Sequence, residues 1–246
     1  MVNYIPKYER LVVMAERERH DLAVELKRFH CTRLSINGTP GNLGALSEHP
    51  DIVDLKLNRC ELHDLAALKG LSGLQKLSVA FGPLSNANVH FCANSLEFLS
   101  LSRLRRMKDL SSLPLMPKLE HLAINHIHSF VPPDFRLFPN LRHLSIWNTD
   151  WNSIGWISYL PDLETLHISQ CKIGDDDWRP VLRLEGLRHL HGMKNVFRAA
   201  ACEEFMRLRP DVRVDQGIPA DLEKDPELKE FLEELGKGKS KGVGVP

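Results

Sequence analysis

Histidines, cysteines and clusters of charge are the side chains in this 246-residue sequence that could do chemistry. Seven of the twelve histidines lie between His121 and His191. Imidazoles in that number could hold zinc or copper, or titrate together near pH 6 and weaken a bound partner. The five cysteines (Cys31, Cys60, Cys92, Cys171 and Cys202) are odd in number and scattered, with no C-x-x-C. That spacing fits neither a disulfide framework nor a zinc knuckle and suggests a reducing, cytoplasmic compartment. "GDDDW" around Asp175–Asp177 lacks the spacing of a calcium loop and reads as a turn. "SRLRRMK", from Ser102 to Lys108, is a compact basic patch without interleaved aromatics and reads as a solvated rim.

Motifs of catalysis are missing: there is no G-x-S-x-G, phosphate-binding loop, dinucleotide fingerprint or H-E-x-x-H. The expectation is a protein without enzymatic activity, cofactor or resident metal. Lys plus Arg equals Asp plus Glu, 32 of each. This balance argues against bulk attraction to nucleic acid or an anionic membrane. No stretch approaches the roughly 18 apolar residues of a membrane span, and Leu11–Met14 is too short for a signal-peptide core.

The elements that position these residues are repeats. "IVDLKLNRCEL" from Ile52 recurs at Leu74, Leu96, Leu119, Leu141, Leu163 and Leu187, at spacings of 22, 22, 23, 22, 22 and 24 residues. A degenerate copy, "CTRLSINGT", starts at Cys31, 21 residues before Ile52. The pattern L-x-x-L-x-L-x-x-N/C-x-L over residues 31–215 resembles the leucine-rich repeat family, in the short 22-residue class of phosphatase regulators and bacterial proteins. Cys60 and Cys171 stand at its N/C position and Thr149 substitutes in part, whereas Gly82, Leu104 and Ile127 depart from it. The resemblance implies an α/β fold. It would be a right-handed solenoid with a concave parallel β-sheet, short 3₁₀ or irregular convex turns, and helical caps. Leu62, Leu65, Leu68, Leu71, Leu74 and Leu77 recur every third residue, a 3₁₀ period.

The expected organisation is an N-terminal helical cap over 1–30 and seven to eight repeats over 31–197. A cap helix and edge strand over 198–215 follow, then an acidic amphipathic helix (221–235) and flexible tail over 216–246. That helix either packs back on the solenoid or meets a partner.

Side chains alternating with the inward leucines should face outward in columns. One runs Asp54, Lys76, Phe98, His121, His143, Thr165, His189; the next Lys56, Ser78, Ser100, Ala123, Ser145, His167, His191; the third Asn58, Ala80, Ser102, Asn125, Trp147, Ser169, Met193. His121 and His143 should be lateral neighbours about 4.8 Å apart at Cα, but a third metal ligand does not obviously converge on them. A tryptophan among serines and alanines, ringed by imidazoles, suits a protein-binding hot spot. The expectation is a monomer that binds a protein on its concave face through Trp147, His143, His121, Phe98, His167, His189, Ser145, Asn125, Lys76 and Met193. It would inhibit one partner, as an immunity protein does, or else bridge two as an adaptor. Metal-dependent binding by the histidines is the outside alternative.

Overall fold

Strands recur at the spacing of the repeats. In the computed structural model, which describes residues 2–15, 20–128 and 131–215, they are β1 (Val2–Ile5), β2 (Arg10–Ala15), β3 (Arg33–Gly38), β4 (Asp54–Asn58) and β5 (Lys76–Ala80). β6 (Phe98–Ser102), β7 (His121–Asn125), β8 (His143–Trp147), β9 (Asp150–Trp151), β10 (Thr165–Ser169), β11 (Lys172–Ile173), β12 (His189–His191) and β13 (Arg213–Asp215) follow. Eleven of them form one sheet in chain order, while β9 and β11 pair separately beside it. From β2 to β13 every neighbour in the large sheet is parallel.

One face of this sheet is apolar in each repeat. Leu55 and Leu57, Leu77 and Val79, Leu122 and Ile124, Leu144 and Ile146 are all buried. Behind them the chain returns through short 3₁₀ turns at Leu43–Glu48, Ala66–Leu68, His90–Cys92, Phe135–Leu137, Gly155–Tyr159 and Arg179–Arg183. The period of three is the cause: residues i and i+3 eclipse in a 3₁₀ turn, so Leu65, Leu68 and Leu71 can all point into one core. Phe135 and Trp156 stack there with centroids 4.0 Å apart, and Trp151 lies 4.7 Å from Trp156.

The N-terminal cap differs from the helices expected over 1–30. β1 and β2 form an antiparallel hairpin joined by a 3₁₀ turn at Pro6–Tyr8, and among the described residues α1 (Leu22–Arg28) is the one α-helix there. The period is two: Leu11, Val13 and Ala15 are buried while Arg10, Val12 and Met14 are only partly so, and Val12–Val13 favours extended backbone. β2 continues the parallel sheet against β3 and occupies an edge that would otherwise be open. Asp21 caps α1 by accepting from the Ala23 N–H at 2.9 Å. At the far end α2 (Ala199–Leu208) packs Cys202 and Phe205 against the last repeat, and β13 pairs with β12. The helix expected over 221–235 and the tail after it lie outside the described residues.

Gly38, the last residue of β3, and the residue just after each of β4 to β8 and β10 take the left-handed region: Arg59, Phe81, Arg103, His126, Asn148 and Gln170. These residues stand in one row. The N–H groups of Arg59, Phe81, Arg103, His126 and Asn148 each donate to the last carbonyl of the next strand, at 2.7–3.1 Å. The ladder therefore continues one residue past the strands. Only glycine adopts this backbone freely; other residues give up about 1–2 kcal/mol, and asparagine less. One position on, Cys60 donates its thiol to the Gly38 carbonyl at 3.0 Å and Cys171 to the Ser169 carbonyl at 3.3 Å. Thr149 accepts from the Trp151 indole N–H at 2.7 Å. Leu104 and Ile127 fill the same row with buried hydrocarbon.

The left-handed row makes a testable claim at exposed Gln170. Gln170→Gly should leave stability unchanged or raise it by up to about 1 kcal/mol, while Gln170→Val should lower it by about 1–2 kcal/mol. Urea denaturation of the two variants measures the difference.

Candidate functional site on the open face of the sheet

The register brings the columns together as the repeat spacing predicts. His121 lies opposite Phe98 on one side and His143 on the other. The two imidazoles stack with centroids 4.2 Å apart and planes 9° from parallel, and Phe98 extends the row at 6.0 Å from His121. Trp147 pairs with Asn125 and Ser169. It is half-buried, because the His126 ring lies 4.9 Å from it. His126 is held in turn by Asn148, whose Nδ2 lies 2.8 Å from its Nδ1. Ser145 and Ala123 form the floor between the His121–His143 row and Trp147, and neither projects far. Lys76 is exposed beside Phe98, two strands from His143's neighbour. Asn125 is nearly buried at 6% exposure.

Other expected members stand elsewhere. Met193 is fully buried. β12 ends at His191, Gly192 takes φ +79°, and a Cβ there would meet the Ile168 carbonyl oxygen; the chain dives inward before the third column is reached. This corrects the outward placement of Met193. His189 and His167 gather around His191 instead of around the His121–His143 pair: ring centroids are 6.2 Å apart for both His189–His191 and His167–His191. His191 is buried, with Nδ1 4.0 Å from an Asp215 carboxylate oxygen. The histidines thus form two groups. Among the described residues no three His, Cys, Asp or Glu side chains converge as metal ligands.

Electrostatics further separates the two groups. Burial, with His191 as a second contributor, pushes His167 down to about 4. It therefore stays neutral near pH 6 and contributes nothing to the joint titration expected there. Burial also pushes the thiols up, Cys31 to about 11 and Cys60 and Cys92 to about 12. These are structural sulfurs and poor nucleophiles.

One row was not anticipated. Arg59, Phe81 and Arg103, in the left-handed corners, form a sandwich, with the guanidinium carbons 5.7 and 5.0 Å from the Phe81 centroid. Phe81 is 38% exposed. Alternation between inward and outward positions could not find it, because a left-handed residue breaks the period of two. The constant 22-residue offset from Arg59 to Phe81 to Arg103 was the available signal. Two surface cavities, about 190 and 400 Å³, lie elsewhere; both are open to solvent, the first lined by Asp176, Arg198 and Glu204 with Trp178 and two alanines, the second by Asp177, Arg179 and Arg183 with Gly155 and Pro180. Neither offers the apolar enclosure of a small-molecule site.

Two measurements follow from these shifts. The unfolded chain takes up a proton at His167 near pH 6.5, whereas the folded chain resists it until about 4, so stability is full above pH 6.5 and falls as pH is lowered through that window. His167→Gln should flatten part of the fall in melting temperature between pH 6.5 and 4. All five cysteines are buried; a thiol reagent at pH 8 should therefore label fewer than one per folded chain and all five in denaturant.

Comparison with protein-family models and comparison with curated proteins each found no match. Among solved structures the chain superposes on an internalin of Listeria monocytogenes with a TM-score of 0.58, at 18% identity, over 85% of this chain and 68% of that one. It also superposes on a leucine-rich repeat protein of Leptospira interrogans with a TM-score of 0.56, at 18% identity, over 74% of this chain and 47% of that one. The chain spans less than half of the Leptospira protein, and likeness at such identity is one of fold. Together with the repeat period, the parallel sheet and the 3₁₀ returns, it identifies the fold as that of a leucine-rich repeat protein.

Proposed function

We propose that the protein binds another protein through the open, concave face of its sheet and acts as an inhibitor of that one partner. The observation that carries this reading is the pairing of stacked His121–His143 with Trp147–His126 across a floor of serine and alanine. Aromatic rings held by their neighbours give up little entropy when a partner covers them, and a floor without long side chains lets the partner's backbone come close. Five buried free thiols accord with action in a reducing, cytoplasmic compartment. The alternative, an adaptor bridging two proteins, would use a second surface such as the helix expected over 221–235, which lies outside the described residues.

The test is capture from lysate of the source organism by wild type and by a Trp147→Ala, His143→Ala double variant. A single stoichiometric protein should be retained by wild type and weakened at least about 100-fold by the variant, consistent with losing two contacts near the centre of an interface. Its activity should fall on adding wild type. Equal capture by both proteins would place the interface elsewhere, and capture without loss of activity would leave binding but remove the inhibitory role.

A further inference from the structure

We propose that residues 221–235 lie along the open face as an amphipathic helix and occlude the partner site until a partner displaces them. The proposal rests on the reading that this face binds a protein, and it gives that site a regulator within the same chain. Residues 221–235 lie outside the described residues, and it is their sequence that fits the face.

The shape of the face is the first observation. Ser78, Ser100, Ala123 and Ser145 are consecutive neighbours across β5 to β8 and make a floor of short side chains. Phe98, His121 and His143 form a wall along one side of it, and Trp147 with His126 stands on the other. His143 and Trp147 are four residues apart on β8, a separation of about 13 Å. An α-helix with its side chains is about 10–12 Å across. The channel therefore takes one helix, lying across the strands.

Length and point of departure agree with this. Asp215, the last described residue, pairs with His191, His191 with His167, and His167 with Ser145. The described chain thus ends in the same lateral row as the floor. Two strand spacings of about 4.8 Å separate β13 from β10, and residues 216–220 can span about 16 Å when extended. A helix over 221–235 measures about 22 Å, and the spacings from β10 to β5 add up to about 19 Å.

The segment also matches the channel in polarity. Leu228, Phe231, Leu232 and Leu235 fall at i, i+3, i+4 and i+7, on one face of a helix. The half-buried rings of Phe98, His121, His143 and Trp147 are what such a stripe can cover. Over 221–235 seven Asp and Glu stand against two Lys, so the segment is strongly acidic. At the open-face positions of β4 to β10 the one carboxylate is Asp54, which is 5% exposed and paired with Arg10 at 3.8 Å. Lys56 and Lys76 stand near the far end of the channel. A helix entering from β10 brings Glu230, Glu233 and Glu234 to that end. Opposite charges meet there.

Met206 and Leu208, 37% and 44% exposed on α2, are the competing apolar surface, and Trp178 lies against Phe205 of the same helix. The test therefore uses the full chain labelled with 5-fluorotryptophan and carrying a nitroxide on Lys229→Cys. The nitroxide is attached at pH 8, where the five native thiols are buried, and ascorbate-reduced protein is the reference. Fluorine spectra should show a loss of signal at Trp147 greater than at Trp151, Trp156 or Trp178. Adding Phe231→Asp with Leu232→Asp should abolish that selectivity, and adding Lys56→Glu with Lys76→Glu should reduce it. Unchanged melting temperatures would show that these variants fold. A protein captured through the open face should bind the unlabelled Phe231→Asp, Leu232→Asp chain at least about tenfold tighter than wild type, because a site free only a tenth of the time loses that factor in affinity.

A loss centred on Trp178 would put the segment on α2, and an equal loss, or none, at all four tryptophans would leave it undocked; each overturns the proposal. Selective loss at Trp147 with partner affinity unchanged in the aspartate variant also overturns it, since the segment then docks without occluding. Selective loss in a chain that captures no protein through Trp147 would contradict the reading of the open face and leave the docking standing.

Discussion

Everything in this molecule depends on the lateral backbone ladder that joins one repeat to the next. A strand of five residues with a single apolar edge cannot hold itself together; stacked in parallel at a period of 22 or 23, each repeat buries its leucines against the next and shares its amide groups with both neighbours. The left-handed corners extend that sharing past the strand ends. The strain at Arg59, Phe81, Arg103 and His126 is tolerated because each corner gains a hydrogen bond to the following strand.

A ladder in register makes rows of side chains, and rows are what the open face has to offer. His121 stacks on His143 because both occupy the same place in successive repeats. Arg59, Phe81 and Arg103 stack because the corners superpose in the same way. Neither row needs a pocket. The surface is broad, with aromatic and cationic groups held by their own neighbours before any partner arrives, which reduces the entropy lost on association. Such a surface suits recognition of another protein better than turnover of a small molecule.

Much of this was legible in the sequence because a repeat is its own alignment. The offset from His121 to His143 translated directly into a lateral pair, and leucines at every third position translated into 3₁₀ returns. Reading failed at the ends of the repetition and at its corners. Leu11 and Met14 suggested a helix, but Leu11, Val13 and Ala15 alternate, and an open sheet edge decided in favour of a strand. Met193 was aligned as if β12 were full length, whereas Gly192 turns the chain into the core. Phe81 was passed over because the columns were drawn by alternation, and its corner does not alternate. For Met193 and Phe81 a single left-handed backbone position outweighed the periodic pattern.

Fluorine NMR of protein labelled with 5-fluorotryptophan tests the central claim most directly. Of the four tryptophans, Trp147 alone lies on the open face of the large sheet, while Trp151 and Trp156 pack together with Phe135 and Trp178 lies against Phe205. With resonances assigned by single Trp→Phe variants, the captured partner should shift or broaden the Trp147 signal and leave the other three in place. A partner that moves the Trp156 or Trp178 signal while Trp147 stays unchanged would contradict recognition through this face.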